Sequence, residues 1–180
     1  PAVGTPSPPP PEVAPVNVTA LIGEAMNKSG LLWIDVPGDR AWPAWHAWAS
    51  DTAYVINGPG EQTLPWLPPE VTLLLRSKDT GGRLLRVAAR AEVLPADSAA
   101  YAPAVEALRA SRLNAPADVE DRWRAECTVT ALRPYGPLVE GPGNMPTGNH
   151  IAKPPPTPAT TATWLPKHLR GRPQRRRGTH

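Results

Sequence analysis

The stretch from Val71 to Leu94 narrows the folding options of this chain more than any other. Val71, Leu73 and Leu75 alternate with Thr72, Leu74 and Arg76. After Asp79-Thr80-Gly81-Gly82, Leu85, Val87, Ala89, Ala91 and Val93 alternate with Arg86, Arg90 and Glu92. A period of two puts successive side chains on opposite faces, so each half reads as a strand with one dry and one wet face. The glycine-rich spacer supplies a tight turn. The segment is therefore predicted to be an antiparallel hairpin, and whatever flanks it must complete a sheet and a core.

The flanks do so with short connections. Residues 17–29 follow a helical pattern in Val18, Leu21, Ile22, Ala25 and Met26, with Asn17 as N-cap and Gly30 as the stop. A strand is expected over 31–36. Another is expected over 41–49, where Pro43 favours an edge, and a third over 52–57 after the two-residue spacer Ser50-Asp51. A second helix spans about 98–113, capped by Asp97 or Ser98. A last strand spans about 123–132, with Trp123, Ala125, Cys127, Val129 and Ala131 on one face. No helix stands between consecutive strands of the meander, as a parallel nucleotide-binding sheet requires. The order indicates an α+β domain, mainly antiparallel β, with six strands and two flanking helices.

Composition sets the limits of that domain. Residues 1–16 hold the run Pro8 to Pro11, and residues 136–180 are rich in Pro, Gly and Thr; both read as disordered tails around a domain at 17–135. A domain of that length buries about two-thirds of its unfolded surface without a covalent staple. One cysteine, Cys127, allows no internal disulfide and reads as a buried, inert thiol. No apolar run approaches the ~18 residues of a membrane span, and no secretory leader is legible, so a cytoplasmic location is expected. The net charge of +3 is uneven: residues 150–180 carry seven of the 19 basic residues and no acid, which leaves 12 basic against 16 acidic in the body. No Ser–His–acid set, carboxylate pair or metal-ligand spacing stands out, and His150, His168 and His180 are scattered along the tail.

Between the strands ending at Asn57 and starting at Val71 lies Gly58-Pro59-Gly60-Glu61-Gln62-Thr63-Leu64-Pro65-Trp66-Leu67. Its glycines and proline mark a turn, and Leu64 to Leu67 suggests a short helical plug or tight crossover. A polar loop here could seat a ligand phosphate, with the N–H groups of Gly58 to Glu61 as an anion nest.

Gly30-Leu31-Leu32-Trp33-Ile34, Ala53-Tyr54-Val55-Ile56-Asn57, the Leu64 to Leu67 segment and the strand at Val71, taken with the element order, resemble the split β-barrel family of flavin-binding proteins typified by pyridoxamine 5′-phosphate oxidase. The resemblance covers about residues 17–133. It implies a six-stranded split barrel, a homodimer, and FMN or a deazaflavin held between two barrels. In many members a Ser-Arg-Lys run shortly after the Asn grips the phosphate. Gly60-Glu61-Gln62 stands there instead. Losing two charge-assisted hydrogen bonds costs about 3–6 kcal/mol, or roughly two to four decades in affinity. Either other cations replace the pair, with Arg76, Lys78 and Arg83 the nearest candidates, or the ligand differs, or the barrel is empty. Trp45 and His46 are placed to flank a flavin ring or to pack in the core, and Glu61 and Gln62 to read a ring edge or to cap the plug. The expected cofactor site is thus Trp45, His46, Asn57, Gly58, Gly60, Glu61, Gln62, Arg76, Lys78 and Arg83.

Two functions remain open at this level. One is a flavin-dependent oxidoreductase whose cofactor carries the hydride chemistry. The other is a non-enzymatic dimer of the same fold whose arginine-rich tail, Lys167 to Arg177 behind the Pro154–Pro158 spacer, binds nucleic acid or an acidic partner. Trp164-Leu165 in that tail could anchor such a contact.

Overall fold

A computed structural model describes residues 17–146. The expected Pro-rich N-terminal tail and arginine-rich C-terminal segment, with its histidines, lie outside the described residues. Ten elements follow in order: α1 (Val18–Lys28), β1 (Leu32–Asp35), β2 (Ala41–Ala44), β3 (Ala47–Ala49), β4 (Thr52–Asn57), β5 (Glu70–Arg76), β6 (Arg83–Val93), α2 (Tyr101–Ser111), α3 (Val119–Glu126) and β7 (Thr128–Glu140).

All seven strands form one antiparallel sheet in the order β2-β1-β5-β6-β7-β4-β3. Its two outer strands, β2 and β3, are consecutive in sequence, and only Trp45 and His46 separate them. Three residue steps span at most about 11 Å. The sheet therefore curls until its edges nearly meet, a seam that no β-ladder closes. This is a split-barrel-like α+β fold.

Burial follows the strand periodicity. Leu32 and Ile34, Val71, Leu73 and Leu75, and Leu85, Val87 and Ala89 point into one interior, with Ala44, Ala53, Val55 and Leu132 from the other strands and Ile22, Ala25 and Met26 from α1. β4 and the 129–132 part of β7 are buried on both faces, because α2 and α3 cover their outer side. There Ile56, Val129 and Ala131 join Tyr101, Ala104, Val105, Leu108, Val119 and Trp123 in a second core. Asn17 caps α1 as expected, accepting from the Ala20 N–H at 3.1 Å. Ser50 and Asp51 both take positive φ, the conformation of a two-residue hairpin turn.

The structure has seven strands and three helices where six and two are expected. The strand expected over 41–49 breaks at Trp45-His46, where it leaves one sheet edge for the other. The alternation nevertheless holds: Trp42, Ala44 and Trp48 face the barrel interior, whereas Trp45 and Ala47 face the second core. The segment expected to begin the last strand is instead α3. Val119 and Trp123 are four residues apart and both buried, and Glu120 and Asp121 sit in the first turn, where the helix dipole favours acids. The last strand then runs on to Glu140, past the end expected for it at 132. α2 starts at Tyr101 with no side-chain cap from Asp97 or Ser98. Leu64 to Leu67 forms no helix; it is extended coil held by prolines 65, 68 and 69.

Candidate functional site

The strand registers divide the expected site residues between two ends of the barrel. Asn57 pairs with Thr128, and Val93 with Thr130, at one end; Arg76 pairs with Arg83, and Arg86 with Glu140, at the other. The 13-residue β7 runs between them. Within one chain, Arg76, Lys78 and Arg83 therefore do not meet the Asn57–Gln62 loop.

At the loop end, the side chains are committed to holding the loop. The Leu64 N–H donates to Asn57 Oδ1 at 3.0 Å, and Asn57 Nδ2 donates to the Leu64 carbonyl at 3.3 Å. Gln62 forms the same two-point clamp on Trp45: the Trp45 N–H donates to Oε1 at 2.8 Å and Nε2 donates to the Trp45 carbonyl at 3.0 Å. This second clamp fixes the seam between β2 and β3, where no ladder exists. The Gly58 N–H donates to the Gln62 carbonyl and the Glu61 N–H to the Gly58 carbonyl. Pro59 has no N–H, so of the expected nest only the Gly60 N–H is uncommitted among the described residues. Trp45 packs into the second core. His46 is half-buried, and desolvation holds its pKa below the usual imidazole value; its Nδ1 is buried and unpartnered.

Glu61 accounts for the chemistry of this end. Its side chain has no solvent exposure. Its Oε1 accepts from Arg122 Nη2 at 2.6 Å and from the Trp123 indole N–H at 2.8 Å, and lies 3.3 Å from Arg112 Nη2. A second Arg122 nitrogen donates to the Pro59 carbonyl. Both arginine side chains are about one quarter exposed, at 27%, and Arg112 Nε is itself buried. The hydrogen bond to Glu61 raises the Arg122 pKa above its ordinary value. Two positive groups thus share the Glu61 carboxylate, and the Glu126 carboxylate also acts on Arg122 through its charge. Neither arginine is adjacent in sequence to the loop; α2 and α3 bring them there. The signal for Arg122 was the helical spacing of Val119 and Trp123, which the strand reading of 123–132 hid.

The glycines of the loop are required by contact. A Cβ on Gly58, whose φ is +153°, would lie 2.7 Å from Cys127 Sγ and 2.9 Å from the Glu126 carbonyl oxygen. Cys127 is half-buried; burial pushes its pKa up, with Arg122 opposing. On the other side of the loop, Asn57, Leu64, Pro65, Trp66, Leu67, Val93, Thr128 and Thr130 line a groove of about 170 Å³. Trp66 stands 80% exposed on its rim.

At the opposite end, Arg83 is not available as a phosphate cation. It pairs with the buried Glu140 at 3.1 Å, and Arg86 bridges Glu140 and Asp35 at 3.0 and 2.7 Å. Arg76 and Lys78 line an open groove of about 290 Å³ with Gly30, Leu31, Trp33 and Ser77. Among the described residues, no group of three or more His, Cys, Asp or Glu could hold a metal ion, and no helix is long and apolar enough to cross a membrane.

No family model matches this chain, and no curated protein matches it. Three solved structures, all split-barrel proteins, are similar in chain path. HutZ, a heme storage protein from Vibrio cholerae, has 14% identity and a TM-score of 0.49, covering 65% of this chain and 89% of that one. A pyridoxamine 5′-phosphate oxidase-like protein from Listeria innocua has 15% identity and a TM-score of 0.47, covering 68% and 98%. The flavocytochrome Anf3 from Azotobacter vinelandii has 13% identity and a TM-score of 0.41, covering 83% and 87%. At these values the likenesses carry no functional inference, and the fold assignment rests on the strand order and the seam.

Proposed function

We propose that this chain binds a flavin-type, phosphate-bearing cofactor at the Asn57–Leu67 end of the barrel and works as a redox protein. The observation that carries the reading is the pair Arg112 and Arg122 against the single carboxylate of Glu61, with the uncommitted Gly60 N–H beside them. These two cations stand where the local sequence lacks its Arg-Lys pair, and Arg122 lies against Gly60 itself. Their side chains, each about one quarter exposed, would offer charge-assisted donors to a phosphate. Trp66 and the groove of Asn57, Val93, Thr128 and Thr130 offer an apolar rim with two hydroxyls for a flat ring. In the homodimer that the family resemblance implies, a second copy would cover Trp66 and Val93 and enclose the ring.

When bound, the flavin supplies the electron chemistry. The chain's own part is to hold the loop rigid through Asn57, Glu61 and Gln62 and to neutralise the phosphate through Arg112 and Arg122. The test is a titration of the purified full chain with FMN and with a deazaflavin, read by the ligand's absorption band. The expected result is saturable micromolar binding, weakened about 10- to 100-fold by Arg122→Ala and only slightly by Arg76→Ala. Absence of binding at high micromolar ligand, by protein whose circular dichroism shows it folded, would overturn the reading.

A further inference from the structure

The cation-bearing groove at the other end of the barrel has no part in that reading, and its chemistry points to a different ligand. Trp33 alternates with the core residues Leu32 and Ile34 on β1 and so lies on the outer face of the sheet, and Leu31 immediately precedes that strand. β1 pairs with β5 in the register Leu32↔Leu75 and Trp33↔Leu74. The outer face therefore carries an apolar strip of Trp33 and half-buried Leu74, ending at Arg76, and Leu31 lines the same groove. Leu31 is 46% exposed. Arg76 and Lys78 have no ion pair or side-chain hydrogen bond among the described residues, and the nearby Lys28 is already paired with Glu24 at 2.6 Å. Ser77 Oγ accepts from the Asp79 and Thr80 N–H groups at 3.2 Å, which leaves its own proton to donate. The backbone is pinned there too: the Lys78 N–H donates to the Lys28 carbonyl at 3.0 Å and anchors the hairpin to the end of α1.

We infer that this groove is a binding site for an amphipathic carboxylate, with the anionic head on Arg76, Lys78 and the Ser77 hydroxyl and the hydrocarbon body along Leu31 and Trp33. Charge complementarity fixes the head, since two unpaired cations flank one hydroxyl donor and a guanidinium matches a carboxylate bidentately. The walls fix the body, since the groove surface beyond those heads is apolar. A volume of about 290 Å³ suits a small molecule.

The full chain, labelled with ¹⁵N, is titrated with octanoate, with acetate as the head alone and with 1-octanol as the body alone. The expected result is that octanoate shifts the amides of Gly30 to Trp33 and Arg76 to Lys78, and that acetate and octanol each bind about tenfold or more weakly. The double variant Arg76→Ala/Lys78→Ala loses about tenfold in octanoate affinity while its spectrum keeps the parent's dispersion; should it lose that dispersion, Lys78→Ala alone is measured by the same criterion. Arg122→Ala leaves octanoate binding unchanged, which separates this site from the flavin reading. The inference is overturned if the octanoate shifts map elsewhere, if acetate or octanol matches octanoate, or if removal of the cations leaves the affinity unchanged.

Discussion

The two ends of the barrel use arginine in opposite ways. At the loop end, Arg112 and Arg122 converge on a carboxylate with no solvent exposure and lock a glycine turn in place. At the hairpin end, Arg76 and Lys78 project from a rigid turn with no partner among the described residues, while Arg83 and Arg86 beside them are tied to Glu140. A cation with an acid beside it is part of the scaffold; Arg76 on the last rung and Lys78 beyond it have no such acid and are available to a ligand. The loop end lies between these cases, since two cations share the Glu61 carboxylate there. It is built to be rigid and still carries charge.

The largest expected effect comes from breaking the lock. Glu61→Ala removes a fully buried carboxylate and leaves two guanidinium groups and the Trp123 indole without their acceptor. Denaturant unfolding should show a loss of about 3 kcal/mol, while Arg76→Ala, whose side chain touches nothing comparable, stays within about 0.5 kcal/mol. Equal losses at the two sites would erase the contrast between the ends. Gly58→Ala comes next: strained φ and a Cβ at 2.9 Å from backbone atoms of Glu126 and Cys127 should cost about 1–3 kcal/mol, measured in the same way. Gly81, also at positive φ but with nothing within 4 Å of its Cβ position, should cost less, by strain alone.

A smaller effect concerns pH. The folded-state pKa of His46 is depressed by burial, so the unfolded chain takes up its proton first. Stability contributed by the neutral ring is therefore complete above the unfolded value of about 6.5 and is lost as pH falls from there towards the lower folded value. Unfolding curves across that window should show this slope, and His46→Gln should flatten it. The smallest effect is expected for Trp66→Ala. At 80% exposure it should change stability by no more than about 0.5 kcal/mol, yet it should remove most of the tryptophan fluorescence response to a ring ligand.

Much of the scaffold was legible in sequence because alternation survives wherever a strand has one wet face. Val71 to Val93 shows this, as does Asn17 as the cap of α1. The failures occurred where two patterns coincide. Trp123, Ala125 and Cys127 alternate like a strand, but Val119 and Trp123 are also one helical turn apart, and the acids before Trp123 favour the helix. That misreading concealed Arg122. The site was less legible than the fold because its charges are assembled by tertiary packing: Glu61, Arg112 and Arg122 lie more than fifty residues apart at their widest. Asn57 and Gln62 were singled out by position, and the structure adds the backbone each one holds. Both are amides that clamp backbone, Gln62 at a seam that strand pairing leaves open.

The most direct test of the account is site-resolved. Amide shifts of the full chain are followed during titration with FMN. The account predicts that the first saturating set comprises Gly58, Gly60, Glu61, Gln62, Arg112 and Arg122, with Arg76 to Lys78 unmoved at the same ligand concentration. A first set confined to Gly30 to Trp33 and Arg76 to Lys78 would contradict it: the locked end would then be scaffold alone, and the open groove would be the place where this protein meets its phosphate-bearing ligand.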